Sequence, residues 1–132
     1  GTTESLVSPA KVKAAVIGNL NASGSAPVYA CRAWVNFEAI GAVSIRASGN
    51  VSSITDHGTG DFSVNFTTDM EDDDYAVTGF VNNISAQANG IFVCLNRQDT
   101  TTPMRVGSVR INVVGENATY YDAEFITLSI VR

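Results

Sequence analysis

Five carboxylates fall within six residues in the run Asp69-Met70-Glu71-Asp72-Asp73-Asp74. An oxygen-rich cluster of this kind suits Ca²⁺, a hard cation that takes several oxygen ligands, so Asp72, Asp73 and Asp74 are the candidate metal ligands. The run lacks the glycine-containing EF-hand frame that ends in Glu, and the competing reading is a solvated acidic loop. The single histidine, His57, follows Asp56 in a predicted turn. A general base needs a nucleophile within reach and a carboxylate that orients it, and no Gly-x-Ser-x-Gly elbow is present. An exposed turn residue is the expected role. The acidic loop could also supply the carboxylate pair of a glycosidase, but a short sandwich is poor support for that chemistry. No catalytic residue is assigned. Cys31 and Cys94 lie in apolar runs far apart, with no Cys or His at metal-ligand spacing. Buried thiols are the first expectation and one long-range disulfide the second.

Contact chemistry is better represented. Trp34 alternates outward from the apolar side of its run, and its indole suits either stacking on a sugar or filling a subunit interface. Arg32 and Arg46 fall on the same side as Trp34. Cross-strand stacking on the indole, or a salt bridge to Glu38 of a neighbour, is the expectation for them. Tyr120-Tyr121, beside Asn117 and Thr119, form a candidate glycan- or protein-contact patch. Asn21, Asn50, Asn65, Asn83 and Asn117 head five Asn-x-Ser/Thr triplets, read as an accident of composition.

The elements that must position these groups follow from pattern and composition. A chain of 132 residues with 45% apolar content is long enough for one core without a disulfide or metal staple. Charged residues make up 16%, with 8 Lys and Arg, so Gly, Ser, Thr and Asn dominate the polar remainder and favour strands and turns. A surface so poor in charge also points to contact with other subunits. The net charge of -5 disfavours nucleic-acid partners and anionic membrane surfaces. No apolar run approaches the roughly 18 residues that span a bilayer, so no membrane insertion is expected. The start, Gly1-Thr2-Thr3-Glu4-Ser5, lacks the basic and apolar regions of a signal peptide.

Ser8 as N-cap and Pro9 at the first helical position predict a short helix through Ala10 to Ile17, stopped by Gly18. Val12 and Val16 lie one turn apart and form a narrow stripe that needs a partner, which makes them candidate oligomer contacts with Trp34 and Arg32. A small-residue linker follows at Asn19–Pro27. From Val28 the period becomes two, with Cys31, Ala33, Val35 and Phe37 on a buried face. Val43, Ile45 and Ala47 read as the buried side of a second strand, and Val51, Ser53 and Thr55 alternate in a third. Asp56-His57-Gly58-Thr59-Gly60-Asp61 is the strongest hairpin signal and leads into Phe62, Val64 and Phe66. Further strands are expected at Tyr75–Val81, Gly90–Asn96, Met104–Val114 and Ala123–Val131. The fold class is all-β: one antiparallel, jelly-roll-like β-sandwich of about eight strands over 28–132, preceded by a helix and linker arm over 1–27.

The stretch Ala30-Cys-Arg-Ala-Trp-Val-Asn-Phe37, followed by Val43-Ser-Ile-Arg-Ala-Ser-Gly-Asn-Val-Ser-Ser-Ile-Thr-Asp-His-Gly-Thr-Gly-Asp-Phe-Ser-Val-Asn-Phe-Thr-Thr68, resembles a small domain of bacteriophage and prophage structural proteins of the tail-fibre type. The resemblance runs from Leu20 to the C-terminus. It departs at Glu38-Ala39-Ile40-Gly41, where relatives have a Gly/Thr-rich turn, and at Glu71 to Asp74, where relatives place a Pro after Met70. Both departures fall in turns. The family brings no catalytic residues. The resemblance implies a non-enzymatic virion protein, assembled in bacterial cytoplasm, self-associating as a homotrimer and contacting other virion proteins. Its work would be adhesion to a host-surface glycan or protein. The alternative is a capsid decoration or head-fibre protein that stabilises the shell, which the short segment ahead of the domain favours.

Overall fold

The computed structural model of the chain describes residues 6–20, 29–82, 90–96 and 102–132. The expected linker beyond Leu20, a strand start at Val28, the triplets at Asn21 and Asn83, and most of the turn-rich 82–89 and 98–103 lie outside the described residues. The chain divides into two compact units, Gly1–Ala30 and Cys31–Arg132.

The first unit holds α1 (Pro9–Leu20). Ser8 caps it: its carbonyl accepts from the amides of Lys11 and Val12, and its Oγ accepts from Lys11 N–H at 3.3 Å. The helix runs through Gly18 rather than stopping there. Glycine lowers helix stability by about 1 kcal/mol, but it ends a helix only by turning left-handed, and Gly18 keeps a negative φ. No residue of α1 is buried.

The second unit is a β-sandwich, with nine strands among the described residues. They are β1 (Cys31–Glu38), β2 (Ser44–Gly49), β3 (Val51–Gly58), β4 (Asp61–Phe66), β5 (Ala76–Val81), β6 (Ile91–Leu95), β7 (Met104–Arg105), β8 (Ser108–Gly115) and β9 (Ile126–Val131). One antiparallel sheet has the order β2-β1-β9-β5. The other has the order β3-β4-β8-β6, with β7 also on β8. The predicted long strand at Met104–Val114 is thus two strands with a turn at Val106–Gly107 between them.

The inward residues of the two sheets meet in a core built on Val35, Phe37, Phe62, Val64, Val109, Ile111, Val113, Ile126 and Ile130. Phe37 and Phe62 join the sheets edge to face, with ring centroids 5.4 Å apart. Three expectations of the alternation fail, each for a local reason, the first in β3, where a register irregularity between Val51 and Ser53 turns Ile54 to the core and leaves Ser53 and Thr55 exposed. Cys31 is exposed, because a register irregularity separates it from Ala33 on the β9 side. Ala47 is exposed because a bulge between Asn36 and Phe37 inserts Arg46: Ile45 still pairs with inward Phe37, but Ala47 pairs with outward Asn36.

Candidate functional site

The outer face of the four-stranded sheet gathers the contact chemistry. Its cross-strand rows follow from the register. Thr78 of β5, Ser129 of β9, Trp34 of β1 and Gly49 of β2 form one row, and Phe80, Thr127, Asn36 and Ala47 form the next. Trp34 lies over Gly49 so closely that a Cβ there would stand 2.8 Å from its Cδ1. The missing side chain on β2 is therefore what lets the indole lie down. Trp34 remains 44% exposed, Phe80 74% and Phe125, just before β9, 39%. Three aromatic residues thus share this face with small neutral ones: Thr78, Thr127, Ser129 and Asn36. The Thr127 hydroxyl donates to the Phe80 carbonyl at 3.4 Å, while Asn36 Oδ1 is buried with no hydrogen-bond partner.

The charges of this face are engaged within the chain. Arg46 donates to Glu38 Oε2 at 3.0 Å and to the Glu124 carbonyl at 3.3 Å, and its guanidinium sits 4.3 Å above the Phe125 ring. The expected salt bridge of Arg46 to Glu38 is thus present, across adjacent strands of the same chain, whereas the ring it stacks on is Phe125, not Trp34. The bulge accounts for this by turning Arg46 toward Phe125. Arg32 Nε donates to the Arg132 carbonyl at 3.2 Å.

On the other sheet, β3 and β4 carry a polar ladder. Asn65 Nδ2 donates to Ser53 Oγ at 3.0 Å and to Thr55 Oγ1 at 2.9 Å, and His57 Nε2 shares a hydrogen bond with Ser63 Oγ at 2.8 Å. A His–Ser pair at that distance is the first half of a nucleophile, but the neighbouring carboxylates have other work. Asp56 Oδ1 accepts from Gly58 N–H at 2.9 Å. Asp61 takes both arms of Arg110 at 3.0 and 2.9 Å and the Asn96 amide at 3.1 Å. The hydrogen bond from Arg110 holds the Asp61 carboxyl below its ordinary value of 3.8, against the upward pull of desolvation.

The acidic loop is not gathered into a cation site. Asp72 is gripped in two-pronged fashion by Arg132, with Nε donating to Oδ1 at 2.9 Å, and it also accepts from Asp74 N–H at 3.0 Å. These bonds, Arg132's first, lower the Asp72 pKa. Among the described residues no three Asp, Glu, His or Cys side chains converge as metal ligands. The candidate set Asp72, Asp73 and Asp74 therefore does not converge on one point, and its first member faces Arg132 instead.

The tyrosine pair is also corrected. Tyr120 and Tyr121 are half-buried rather than displayed. Tyr120 bridges to Val114, and Tyr121 packs on the core with its ring against Gly115, where a Cβ would stand 2.8 Å from its Cε2. The two cysteines are not joined in a disulfide. Val12 and Val16 are both exposed on α1.

Of the sequence candidates, Trp34 and Arg32 are brought to one face, and Tyr120, Tyr121 and Asp72 serve the fold. Phe80, Phe125 and Gly49 were not singled out from sequence. The alternation of Ala76, Thr78 and Phe80 against Val77 and Val81 was a usable signal for Phe80. Nothing local distinguishes Gly49 from an ordinary turn glycine. Compared with protein families, with curated proteins and with solved structures, the chain gives no match.

Proposed function

We propose that this chain is a non-enzymatic attachment module of a bacteriophage virion, of the tail-fibre type, which self-associates and meets the host surface through its sandwich. The observation that carries the reading is the outer face of the four-stranded sheet. There Arg46 is paired with Glu38 within the chain while Trp34, Phe80 and Phe125 stay exposed. Surface aromatics grouped around neutral polar groups are a feature of recognition sites rather than of inert surface. The resemblance of Ala30–Thr68 to phage structural domains supports the virion setting. The engagement of Asp56, Asp61 and Asp72 in structural hydrogen bonds favours a binding role over a hydrolytic one.

Self-association is assigned to α1. A 12-residue helix is marginal in water without a partner, and Val12, Val16 and Ile17 are exposed on it. Further copies of the chain, three in the tail-fibre setting, are the proposed cover. Antibody-gold labelling of intact virions tests the assignment: gold at the tail tip is expected, and gold spread over the head would give the chain to capsid decoration instead. Light scattering of the purified protein tests the association, and a stable 13.9 kDa monomer at micromolar concentration would contradict it.

A further inference from the structure

We infer that the free edge of β5 is an interface between two copies of this chain, in which β5 pairs antiparallel with β5 of the second copy about a twofold axis at Gly79. This contact is separate from the association assigned to α1, and neither depends on the other. β5 ends its sheet, so among the described residues one side of its backbone has no strand beside it. The register tells which groups that side presents. Asn82 N–H donates to the Phe125 carbonyl at 3.1 Å, and this pair continues the ladder in which Val81 faces Ile126. Hydrogen-bonded pairs alternate along an antiparallel ladder. Ala76, Thr78 and Phe80 therefore bond to β9, while Val77, Gly79 and Val81 turn their N–H and C=O groups to the free edge.

Charge and register select a second copy as the occupant. Open edges are usually blunted by charged side chains or proline. Edge strand β2 carries Arg46 and edge strand β3 carries Asp56 and His57, but β5 and β6 carry no charged residue and no proline. A second copy brings the same net charge of -5, so two copies approach closely only where neither presents a like charge. Centring the pair on Gly79 sets Gly79 against Gly79, and Val77 against Val81 of the second copy. Each N–H and C=O that these residues turn to the edge then meets a partner, and the contact is self-complementary, as a twofold requires. In the pairs between, Phe80, 74% exposed, lies beside Thr78 of the second copy, at the spacing where side chains come closest. An apolar cavity of about 50 Å³, lined by Val77, Gly79, Val93, Leu95 and Leu128, lies on the seam between β5 and β6, and the second copy closes over it.

Area sets the strength. The strand is about 20 Å long and the side of the sandwich about 20 Å deep, so each copy buries about 400 Å². That is half of the roughly 800 Å² per partner in a standard interface, which makes this a weak pair, formed in the upper micromolar range. It covers Phe80 and leaves Trp34 open, because β9 and β1 lie between β5 and the far edge of the sheet. The purified full chain is followed by sedimentation equilibrium and by amide exchange in NMR from about 10 µM to about 1 mM. A Val12→Glu, Val16→Glu double variant removes the apolar stripe of α1 and isolates the edge, and a monomer–dimer equilibrium is expected. Its Val77, Gly79 and Val81 amides should exchange at least about threefold more slowly at the upper concentration, while those of Thr78 and Phe80, already bonded to β9, keep their rates. Thr78→Lys and Phe80→Lys, both at exposed positions, should each weaken the dimer at least about tenfold with the melting temperature retained.

Two results would overturn the edge: exchange at Val77, Gly79 and Val81 that is unchanged across the concentration range, or wild-type association in a folded Thr78→Lys, Phe80→Lys double variant. The association assigned to α1 fails separately. Loss of all association in the α1 variant, with those three amides unprotected, overturns the edge and keeps α1. An α1 variant that associates as the wild type does, with the three amides protected, keeps the edge and overturns α1.

Discussion

Asn50 and Gly60 hold two bends of the sandwich at positive φ, and they do so differently. In Ser48-Gly49-Asn50 the glycine would be the natural residue for a positive φ, yet it is Asn50 that takes φ 55°. Its amide explains the choice. Nδ2 donates to the carbonyls of Arg32 and Thr68 at 3.1 and 3.0 Å, and Oδ1 accepts from Thr68 N–H at 2.7 Å, so one side chain ties three backbone groups where the chain passes between sheets. Asn50→Ala should cost about 2–3 kcal/mol in chemical denaturation, and Asn50→Gly less, because glycine keeps the turn and loses only the bonds. Gly60, at φ 63°, has no such latitude. A Cβ would stand 2.6 Å from the Val113 carbonyl and 2.8 Å from Tyr121 N, both backbone. Gly60→Ala should destabilise by at least about 2 kcal/mol. The Gly60 bend was legible in the Gly-Thr-Gly hairpin signal. The role of Gly49 was not, because it depends on a ring from another strand.

At the level of elements, alternation was a good guide wherever a strand pairs regularly and faces one core. Ala33, Val35 and Phe37 of β1 are buried as read, and so are Phe62, Val64 and Phe66 of β4. The guide failed at β2, where a bulge changes the period, and in β8, where Asn112 and Val114 are buried on the side away from the core-facing Ile111 and Val113. The Val114–Tyr120 bridge and the Gly60 turn close over that side, and such cover is a tertiary fact with no local signature. The acidic loop illustrates the same limit: its composition suggested a cation, but its geometry is set by an arginine 60 residues away. Adding millimolar Ca²⁺ should accordingly leave the melting temperature unchanged. The loop's exit is fixed instead by Tyr75, which is buried by its packing on Phe66, with its hydroxyl at 2.9 and 3.0 Å from the carbonyls of Arg105 and Ser108. Burial raises its pKa. Tyr75→Phe should cost about 1–3 kcal/mol by leaving those groups short of a partner, with the loss seen in the denaturant midpoint at unchanged slope.

For the whole molecule, the scarcity of charge concentrates electrostatic stability in a few pairs, of which Asp61–Arg110 is the most enclosed among the described residues. The Asp61 pKa is lower folded than unfolded, so its contribution is fully present above the unfolded value of 3.8 and is lost as pH falls through the folded one. Melting temperature should therefore decline below about pH 4, and Asp61→Asn should start lower at neutral pH and decline less on acidification. The same scarcity leaves the outer surface of the four-stranded sheet mostly to aromatic and uncharged polar side chains, on which the functional account depends. The most direct measurement is the adsorption rate of the parent virion on its host in the presence of excess purified chain. The account predicts that the wild-type chain slows adsorption by competing for the surface receptor, while folded Trp34→Ala does not. Adsorption unchanged by saturating wild-type chain would contradict it.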